Sequence, residues 1–593
     1  MLELTINGTP TLVSEGATIL EAAQSAGVAI PTLCKVEGLA PVGACRVCVV
    51  DVEGARTCVP SCSTPARDGM VVQTNSPRAR RARRAVVELL LSEHGGDCLY
   101  CDRSEDCELR ALAHDLGIRE DRYSGQKTAG VIDNSTAALI RDPAKCIKCR
   151  RCVSVCSDTQ TVAALSPQGR GFSTIIGPPI WDDLDDTACV QCGQCAAACP
   201  TGAITEKRHV DAVWDALDDP NQIVVVQTAP AIRAALGELF GYPAGTLVTG
   251  KMTAALRRMG FDKVFDTNFT ADLTIVEEAN ELLHRLTRAL VHNETVALPQ
   301  FTSCSPGWIK FAESFFPDML PNLSTCKSPQ QMFGALAKTY YAESLGIRPE
   351  DMTVVSIMPC TAKKYEAARP EMGNDGIRDV DYVLTTRELG SMIKAAGIDF
   401  RSLSDEAMDA PFGQSTGAAD IFANTGGVME AALRTAHHVI TGRLLPTEEL
   451  HVEPIAGLEG VKEASVTITG AVERWSFLEG VEVKVAVAHG LSNARALIEA
   501  IQSGQAAYHF VEVMTCPGGC IGGGGQPRPT TDAVRRARIS AIYREDEGKE
   551  LRMSHENPAV AALYAEYLTE PLGERSHHLL HTLYKSRMEE LVV

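Results

Sequence analysis

Cys146-Ile-Lys-Cys149-Arg-Arg-Cys152-Val-Ser-Val-Cys156 and Cys189-Val-Gln-Cys192-Gly-Gln-Cys195-Ala-Ala-Ala-Cys199-Pro200 are one motif written twice. Both runs have the spacing C-x2-C-x2-C-x3-C. Thiols this close together favour metal ligation, and a reducing compartment works against disulfides. The chain has 21 cysteines, 16 of them before residue 200, so metal chemistry is concentrated in its first third. Zinc is the plain alternative for any one such group, and the grouping has to decide.

The paired runs resemble the bacterial two-cluster ferredoxin pattern. There the fourth cysteine of each run ligates the cluster of the other run. The resemblance implies one 4Fe–4S cluster on Cys146, Cys149, Cys152 and Cys199. A second falls on Cys189, Cys192, Cys195 and Cys156.

Toward the N-terminus, residues 1–75 read as a small β-grasp unit. Leu2–Asn7 and Pro10–Val13 are strands around a Gly8 turn, and Thr18–Ala26 is a helix closed by Gly27. Within it Cys34, Cys45, Cys48 and Cys62 have the spacing C-x10-C-x2-C-x13-C, which suits a 2Fe–2S cluster. This resembles the plant-type ferredoxin domain at the front of hydrogenases and of the large iron–sulfur subunit of respiratory complex I. Cys58 lies nearby, but the resemblance puts the ligand in a Cys-Ser-Thr segment, which selects Cys62. The arginines at 78, 80, 81, 83 and 84 read as a solvated helix face rather than a phosphate site. Next come His94, Cys98, Cys101 and Cys107. Alone they suit structural zinc as well as a cluster; between other cluster motifs they resemble the His-ligated 4Fe–4S site of the same two families.

Composition is ordinary for a globular protein. Hydrophobic residues are 45% and charged residues 22%, with a formal charge of −19. That balance argues against nucleic acid or anionic membrane as main partner. No stretch approaches the ~20 apolar residues of a membrane span, and the N-terminus lacks the pattern of a signal peptide. The expected location is the cytoplasm.

From about residue 209 the pattern changes. Apolar runs such as Ile223–Val226 and Val354–Ile357 alternate with helical stretches such as Thr274–Leu290, the pattern of an α/β domain. Three segments carry the chemistry: Thr302-Ser-Cys-Ser-Pro-Gly-Trp308, Met358-Pro-Cys-Thr-Ala-Lys-Lys364, and Glu512-Val-Met-Thr-Cys-Pro-Gly-Gly-Cys520 followed by glycines 522–525. They resemble the signatures of FeFe-hydrogenase catalytic subunits, and the resemblance runs from residue 1 to about 585.

The expected fold class is therefore multidomain α/β and α+β. It comprises a β-grasp 2Fe–2S domain (1–78), a His/Cys 4Fe–4S domain (79–125), a two-4Fe–4S ferredoxin-like domain (126–208) and an α/β catalytic domain (209–593). The dense cysteine runs of 126–208 leave little room for a core, so clusters are expected to supply much of the stability there.

The resemblance further implies an H-cluster, a 4Fe–4S cube joined to a di-iron unit carrying CO, cyanide and a dithiolate amine. It implies Cys360, Cys516 and Cys520 as ligands of the cube, Cys520 bridging. Lys363 bonds a cyanide, Met358 and Met514 flank the di-iron unit, and Ala229-Pro230 and Pro329-Gln330 give further contacts. Cys304 is the terminal proton relay, and Glu278, Glu281, Arg285 and Ser324 form the rest of that path. The three helix residues share one face by spacing; a surface ion-pair row is the ordinary reading of such a pattern.

One position departs from the family, which has two adjacent cysteines where this chain has Cys304 and Ser305. Three assignments of the fourth ligand stand open: Ser305 through oxygen, Cys304 turned inward, or Cys326 from a neighbouring element. A thiolate is the softer match for iron and forms more readily than an alkoxide. The register set by Thr302-Ser303 and Pro306-Gly307-Trp308 favours Ser305, with Cys304 kept as relay.

The expected reaction is 2H+ + 2e− ⇌ H2. Expected partners are H2, protons, ferredoxin, and flavin/NAD-binding and small 2Fe–2S subunits of an NAD(P)-linked complex. No flavin or dinucleotide fingerprint occurs in the chain, so an NAD site belongs to a partner. The rivals are a stand-alone ferredoxin-dependent hydrogenase and a non-catalytic wire or sensor. Retention of Cys304 and of all three signatures speaks against the latter.

Overall fold

The computed structural model describes residues 1–95, 97–120, 122–123, 125–128, 130–179, 183–374, 376–445 and 458–588. At the N-terminus five strands form one sheet in the order Thr9–Val13, Leu2–Ile6, Val71–Gln73, Val49–Val52, Val59–Pro60. Leu4, Ile6, Val13, Val50 and Val72 point into its core. The helix Ile19–Ser25 starts at a Thr18/Glu21 capping box and buries Ile19, Leu20, Ala22 and Ala23 against that sheet.

The helix Pro77–Glu93 follows, capped by Ser76. Arg78, Arg80, Arg81 and Arg84 are exposed, as a solvated face requires. Arg83 corrects that reading: it is buried and donates to the carbonyls of Val47, Val49 and Thr74, bracing the cysteine loop of the first unit.

The duplicated motifs fold alike. Lys148 and Arg150 in one run, and Gln191 and Gly193 in the other, take positive φ at equivalent positions. This left-handed step turns consecutive backbone N–H groups inward, the geometry that favours anionic groups. The expectation of little core here is also corrected. Leu139, Val162, Leu165, Ile176 and Ile204 share one apolar cluster with Trp308, Phe311, Leu491 and Val513 of the catalytic unit. The cysteine-rich unit thus borrows its core from its neighbour.

The catalytic unit has two four-stranded sheets. One is parallel throughout, ordered Lys263–Asp266, Ile223–Thr228, Met352–Met358, Tyr382–Thr385. The other is ordered Gln300–Phe301, Phe510–Met514, Glu482–His489, Val461–Thr467, with only the last strand antiparallel. Met352–Met358 is buried at every residue, as a strand covered on both faces must be. The functional segments all follow carboxyl ends of parallel strands: Ala229 after Thr228, Pro359 after Met358, Thr302 after Phe301, Thr515 after Met514. Open α/β sheets gather ligand sites at that end.

Candidate catalytic cavity and cysteine cages

Two cages hold the duplicated cysteines. One, of about 400 Å³, is lined by Cys146, Cys149, Cys152 and Cys199. The other, of about 380 Å³, is lined by Cys156, Cys189, Cys192 and Cys195. The crossed grouping follows from topology: each run's fourth cysteine lies beyond a helical turn that carries it to the other cage. In the first cage burial pushes the Cys146 thiol up to about 11, with the Cys199 charge adding to the rise. Thiolates crowded in this way are poorly accommodated as free anions, a penalty that bound iron compensates. The donor sets thus fit 4Fe–4S clusters.

Cys34, Cys45, Cys48 and Cys62 are all buried, whereas Cys58 is half-buried. Cys48 and Cys62 sulfurs lie 3.3 Å apart. His94 is neutral by environment, its pKa lowered by burial and by Lys127 and Lys145, and its Nδ1 is buried without a hydrogen-bond partner. Cys98 beside it is exposed; Cys101 and Cys107 are half-buried.

The units abut closely. Arg151 bonds the Glu108 carboxylate and the Thr32 carbonyl, and its charge is felt by both Cys149 and Cys45. Arg103 donates to the Cys199 and Thr201 carbonyls. At the inner end, a Cβ on Gly524 would sit 2.4 Å from the Cys192 carbonyl oxygen, so only glycine permits this approach. Gln194 Nε2 donates to the Gly522 carbonyl at 3.0 Å, and Thr361 Oγ1 to that of Gln191 at 2.8 Å.

Past that junction lies a cavity of about 750 Å³. It collects Cys360, Cys516 and Cys520 with Cys304 and Ser305, and is walled by Ala229, Pro230, Pro329, Gln330, Met358, Met514 and Lys363. Every residue expected to touch the cofactor lines this one space. Its thiols, thioethers and apolar walls fit a soft iron–sulfur group better than a hard cation. Burial pushes Cys520 up to about 12, with Cys360 adding to it. Lys363 Nζ donates to the Cys304 carbonyl at 3.0 Å and to Glu366 Oε2 at 2.9 Å. Glu366, absent from the expected set, also accepts from Ser328 and Gln330 and so fixes the lysine. Its signal was present at i+3 from Lys363 on the helix Ala362–Ala368.

Ser305 Oγ lies 2.7 Å from Thr515 Oγ1 and accepts the Thr515 N–H at 3.2 Å. Cys326 does not line the cavity. It is fully buried beside Glu281, its sulfur 4.0 Å from Oε2.

A polar row leads outward from Cys304. Burial and then the Glu281 charge push Glu278 up to about 8, hydrogen bonding from Ser324 and the Ser303 backbone opposing them. Ser324 Oγ donates to Glu281 Oε2 at 2.8 Å, and Arg285 Nη2 to Glu281 Oε1 at 2.7 Å. Burial, then Glu278, keeps the Cys304 thiol protonated, its pKa raised well above the usual range. The row therefore holds proton donors and acceptors from the cavity to an open recess lined by Glu281 and Arg285. The surface ion-pair reading fails on burial: Glu278 is 2% exposed and Glu281 9%.

Crossed thiol cages joined to an apolar, thiol-lined cavity with a row of buried polar groups beside it define an iron–sulfur oxidoreductase. Comparison with known proteins narrows the class. The family "Iron only hydrogenase large subunit, C-terminal domain" matches residues 222–524. "Iron hydrogenase small subunit" matches 532–587. Upstream, a "2Fe-2S iron-sulfur cluster binding domain" matches 1–77, an "NADH-ubiquinone oxidoreductase-G iron-sulfur binding region" 83–122, and a "4Fe-4S dicluster domain" 145–203. The chain is 53% identical to the NADP-reducing hydrogenase subunit HndD of Solidesulfovibrio fructosivorans, covering 99% of each. It is 40% identical to iron hydrogenase 1 of Clostridium pasteurianum over 99% of this chain and 100% of that one. A solved apo [FeFe]-hydrogenase variant from Chlamydomonas reinhardtii superposes with a TM-score of 0.58 at 45% identity, covering 64% of this chain and 99% of that one.

The chain belongs to the iron-only hydrogenase large-subunit family. It is the catalytic subunit of an FeFe-hydrogenase, with 2Fe–2S and 4Fe–4S domains ahead of the H-cluster fold. Among the described residues no helix is long and apolar enough to cross a membrane. The small-subunit match was not foreseen: residues 532–587 carry no cysteine and fall inside the 209–593 unit of the sequence reading.

Proposed function

We propose that this chain interconverts protons, electrons and H2 as the catalytic subunit of an NAD(P)-linked complex, with an H-cluster in the 750 Å³ cavity. The observation that carries it is the meeting of all three signature segments in that space, at the carboxyl ends of parallel strands and against the Cys192 cage. When bound, the H-cluster supplies the redox centre at which H2 is made or split.

The residues divide the remaining work. Cys360, Cys516, Cys520 and Ser305 would hold the cube, Ser305 being steadied by its two contacts with Thr515. Lys363, fixed by Glu366, would offer a cationic donor to the bound group, and Met358, Met514, Ala229, Pro230, Pro329 and Gln330 wall the space and exclude water. Cys304 would be the residue that hands protons between the cavity and the polar row. Glu278, Ser324, Glu281 and Arg285 carry the proton onward; Glu278, with a pKa of about 8, accepts and releases protons near neutrality. Cys34, Cys45, Cys48 and Cys62 would hold one 2Fe–2S cluster, His94, Cys98, Cys101 and Cys107 one 4Fe–4S cluster, and the crossed cages two more, groups that would supply one-electron redox chemistry between a partner and the cavity. This assigns unit boundaries of 1–78, 79–125, 126–208 and 209–593, consistent with the matched segments.

Similarity to an NADP-reducing subunit over the full length supports the complex. NADP chemistry favours a cytoplasmic site, with ferredoxin and with flavin/NAD-binding and small 2Fe–2S subunits as partners. The alternative is a stand-alone ferredoxin-dependent enzyme. Isolation of the native assembly with flavin analysis separates them. A flavin-bearing partner and H2-driven NAD(P)+ reduction that the lone chain lacks support the complex. A single flavin-free chain active with ferredoxin supports the alternative.

A further inference from the structure

The helix Thr267–Leu290 carries a buried carboxylate that the catalytic account does not use. Glu277 has no solvent exposure. It accepts from Tyr564 Oη, Ser576 Oγ, the Leu572 N–H at 2.9 Å and His581 Nε2 at 3.2 Å. All four donors lie in the segment that matches the small-subunit family. His581 Nδ1 pairs in turn with Thr325 Oγ1 at 2.8 Å, and the Thr325 N–H donates to Glu281 Oε2 at 3.2 Å. One carboxylate thus pins the C-terminal segment to the helix that carries the proton row. Two non-glycine residues of the anchored segment take positive φ, Thr569 at 74° and Leu572 at 57°.

The pinning has a geometric result. His577 lies one helical turn before His581, with the two rings 4.3 Å apart. It stands exposed on the rim of the open recess that Glu281 and Arg285 line. His581 has both ring nitrogens engaged. Among the described residues the His577 ring makes no hydrogen bond, so its nitrogens are free to exchange protons with water. We propose that the C-terminal segment builds the outer mouth of the proton path, and that His577 is the proton-exchanging residue held at that mouth by the Glu277 anchor. The proposal rests on the row from Cys304 to Arg285 being the proton path.

The charges around His577 are mixed. Glu277, Glu281, His284, Arg285 and Arg288 face the recess or the ring from the long helix, and Glu570 and Arg474 from neighbouring segments. Arg575, Glu574 and His578 share its own helix, and His581 follows one turn on. Partial burial and His581 lower the His577 pKa, while Glu277 and Glu281 oppose them. An exposed imidazole with no hydrogen-bond partner can take a proton from water on one ring nitrogen and release one from the other.

The test uses the whole holoenzyme. His577→Gln should slow H2 evolution severalfold in dilute buffer and alter the pH profile. Concentrated imidazole buffer should restore the rate, because a mobile carrier replaces a fixed one. Iron content and the cofactor's infrared bands should be unchanged, and His578→Gln, outside the recess lining, should behave as wild type. A normal rate for His577→Gln in dilute buffer, or a loss that buffer does not restore, overturns the proposal. Glu281→Gln separates the two levels. If it stops turnover at every buffer concentration while His577→Gln is normal, only the mouth is misassigned. If Glu281→Gln turns over normally, the path fails and the mouth with it.

Discussion

Glu277 and Glu278 are neighbours on one helix, both sealed from water, and they settle in opposite states. Glu277 points to the C-terminal segment, where donors from Tyr564, Ser576, Leu572 and His581 outweigh burial and lower its pKa. Glu278 points to the catalytic side, where burial and the Glu281 charge push it up to about 8 against weaker opposition from Ser324 and Ser303. The same residue type at similar depth becomes a structural anion on one face and a proton carrier on the other. What separates them is the number of donors that meet the carboxylate, together with the like charge of Glu281 beside Glu278, rather than burial.

The largest expected effect lies on the carrier side. Cys304→Ala and Glu278→Gln should each cut turnover by at least about 10²-fold, the usual worth of a positioned proton-transfer group. The CO and cyanide infrared bands should persist in both, since neither residue holds the cofactor. Near-normal hydrogen evolution by either variant would remove that residue from the path.

Ser305 comes next. Ser305→Ala should alter the paramagnetic signal of the cube; Ser305→Cys should alter it while keeping activity. An unchanged signal and rate in Ser305→Ala would transfer the ligand role to another residue, Cys304 being the remaining thiol that lines the same cavity.

A smaller effect sharpens the comparison itself. A lowered carboxylate pKa contributes stability above the usual carboxylate range and loses it as pH falls through the folded-state value. Glu277→Gln should therefore destabilise the fold at neutral pH, by about 2–4 kcal/mol for a buried, multiply bonded anion. A raised pKa works the other way. The stability Glu278 allows is complete below about 4.5 and is lost as pH rises through about 8. Glu278→Gln should remove that loss and melt no lower than wild type at alkaline pH. Equal destabilisation by the two substitutions in pH-dependent melting would erase the distinction drawn between them.

How much of this was legible in the sequence depended on whether the signal was local. Fixed cysteine spacing carried the crossed cages, because ligands on one short loop must keep their intervals. The three signature segments were likewise legible, each being a continuous strand-end loop. Other features depend on contacts far apart in the chain. Arg83 belonged to a run that reads as solvated, and only the loop folding back over Val47 buries it. Glu366 meets Ser328 and Gln330, and Thr515 meets Ser305, only because the fold brings distant segments together at the cavity wall. Glu277 could not be told from Glu278 without knowing that residues 564–581 return some 300 positions later in the chain to supply its donors. The shared core of the ferredoxin-like unit was hidden for the same reason, since half of it comes from the catalytic unit, through residues such as Trp308, Phe311 and Leu491.

The central claim is that the cages and the cavity are iron–sulfur sites ending in an H-cluster. It is tested most directly by a cofactor inventory of the matured protein, with iron, acid-labile sulfide and zinc assayed alongside its infrared spectrum. The account predicts iron and sulfide for about four accessory clusters beside the cube, negligible zinc, and CO and cyanide bands. Stoichiometric zinc with little iron, or full iron loading without those bands, would contradict it.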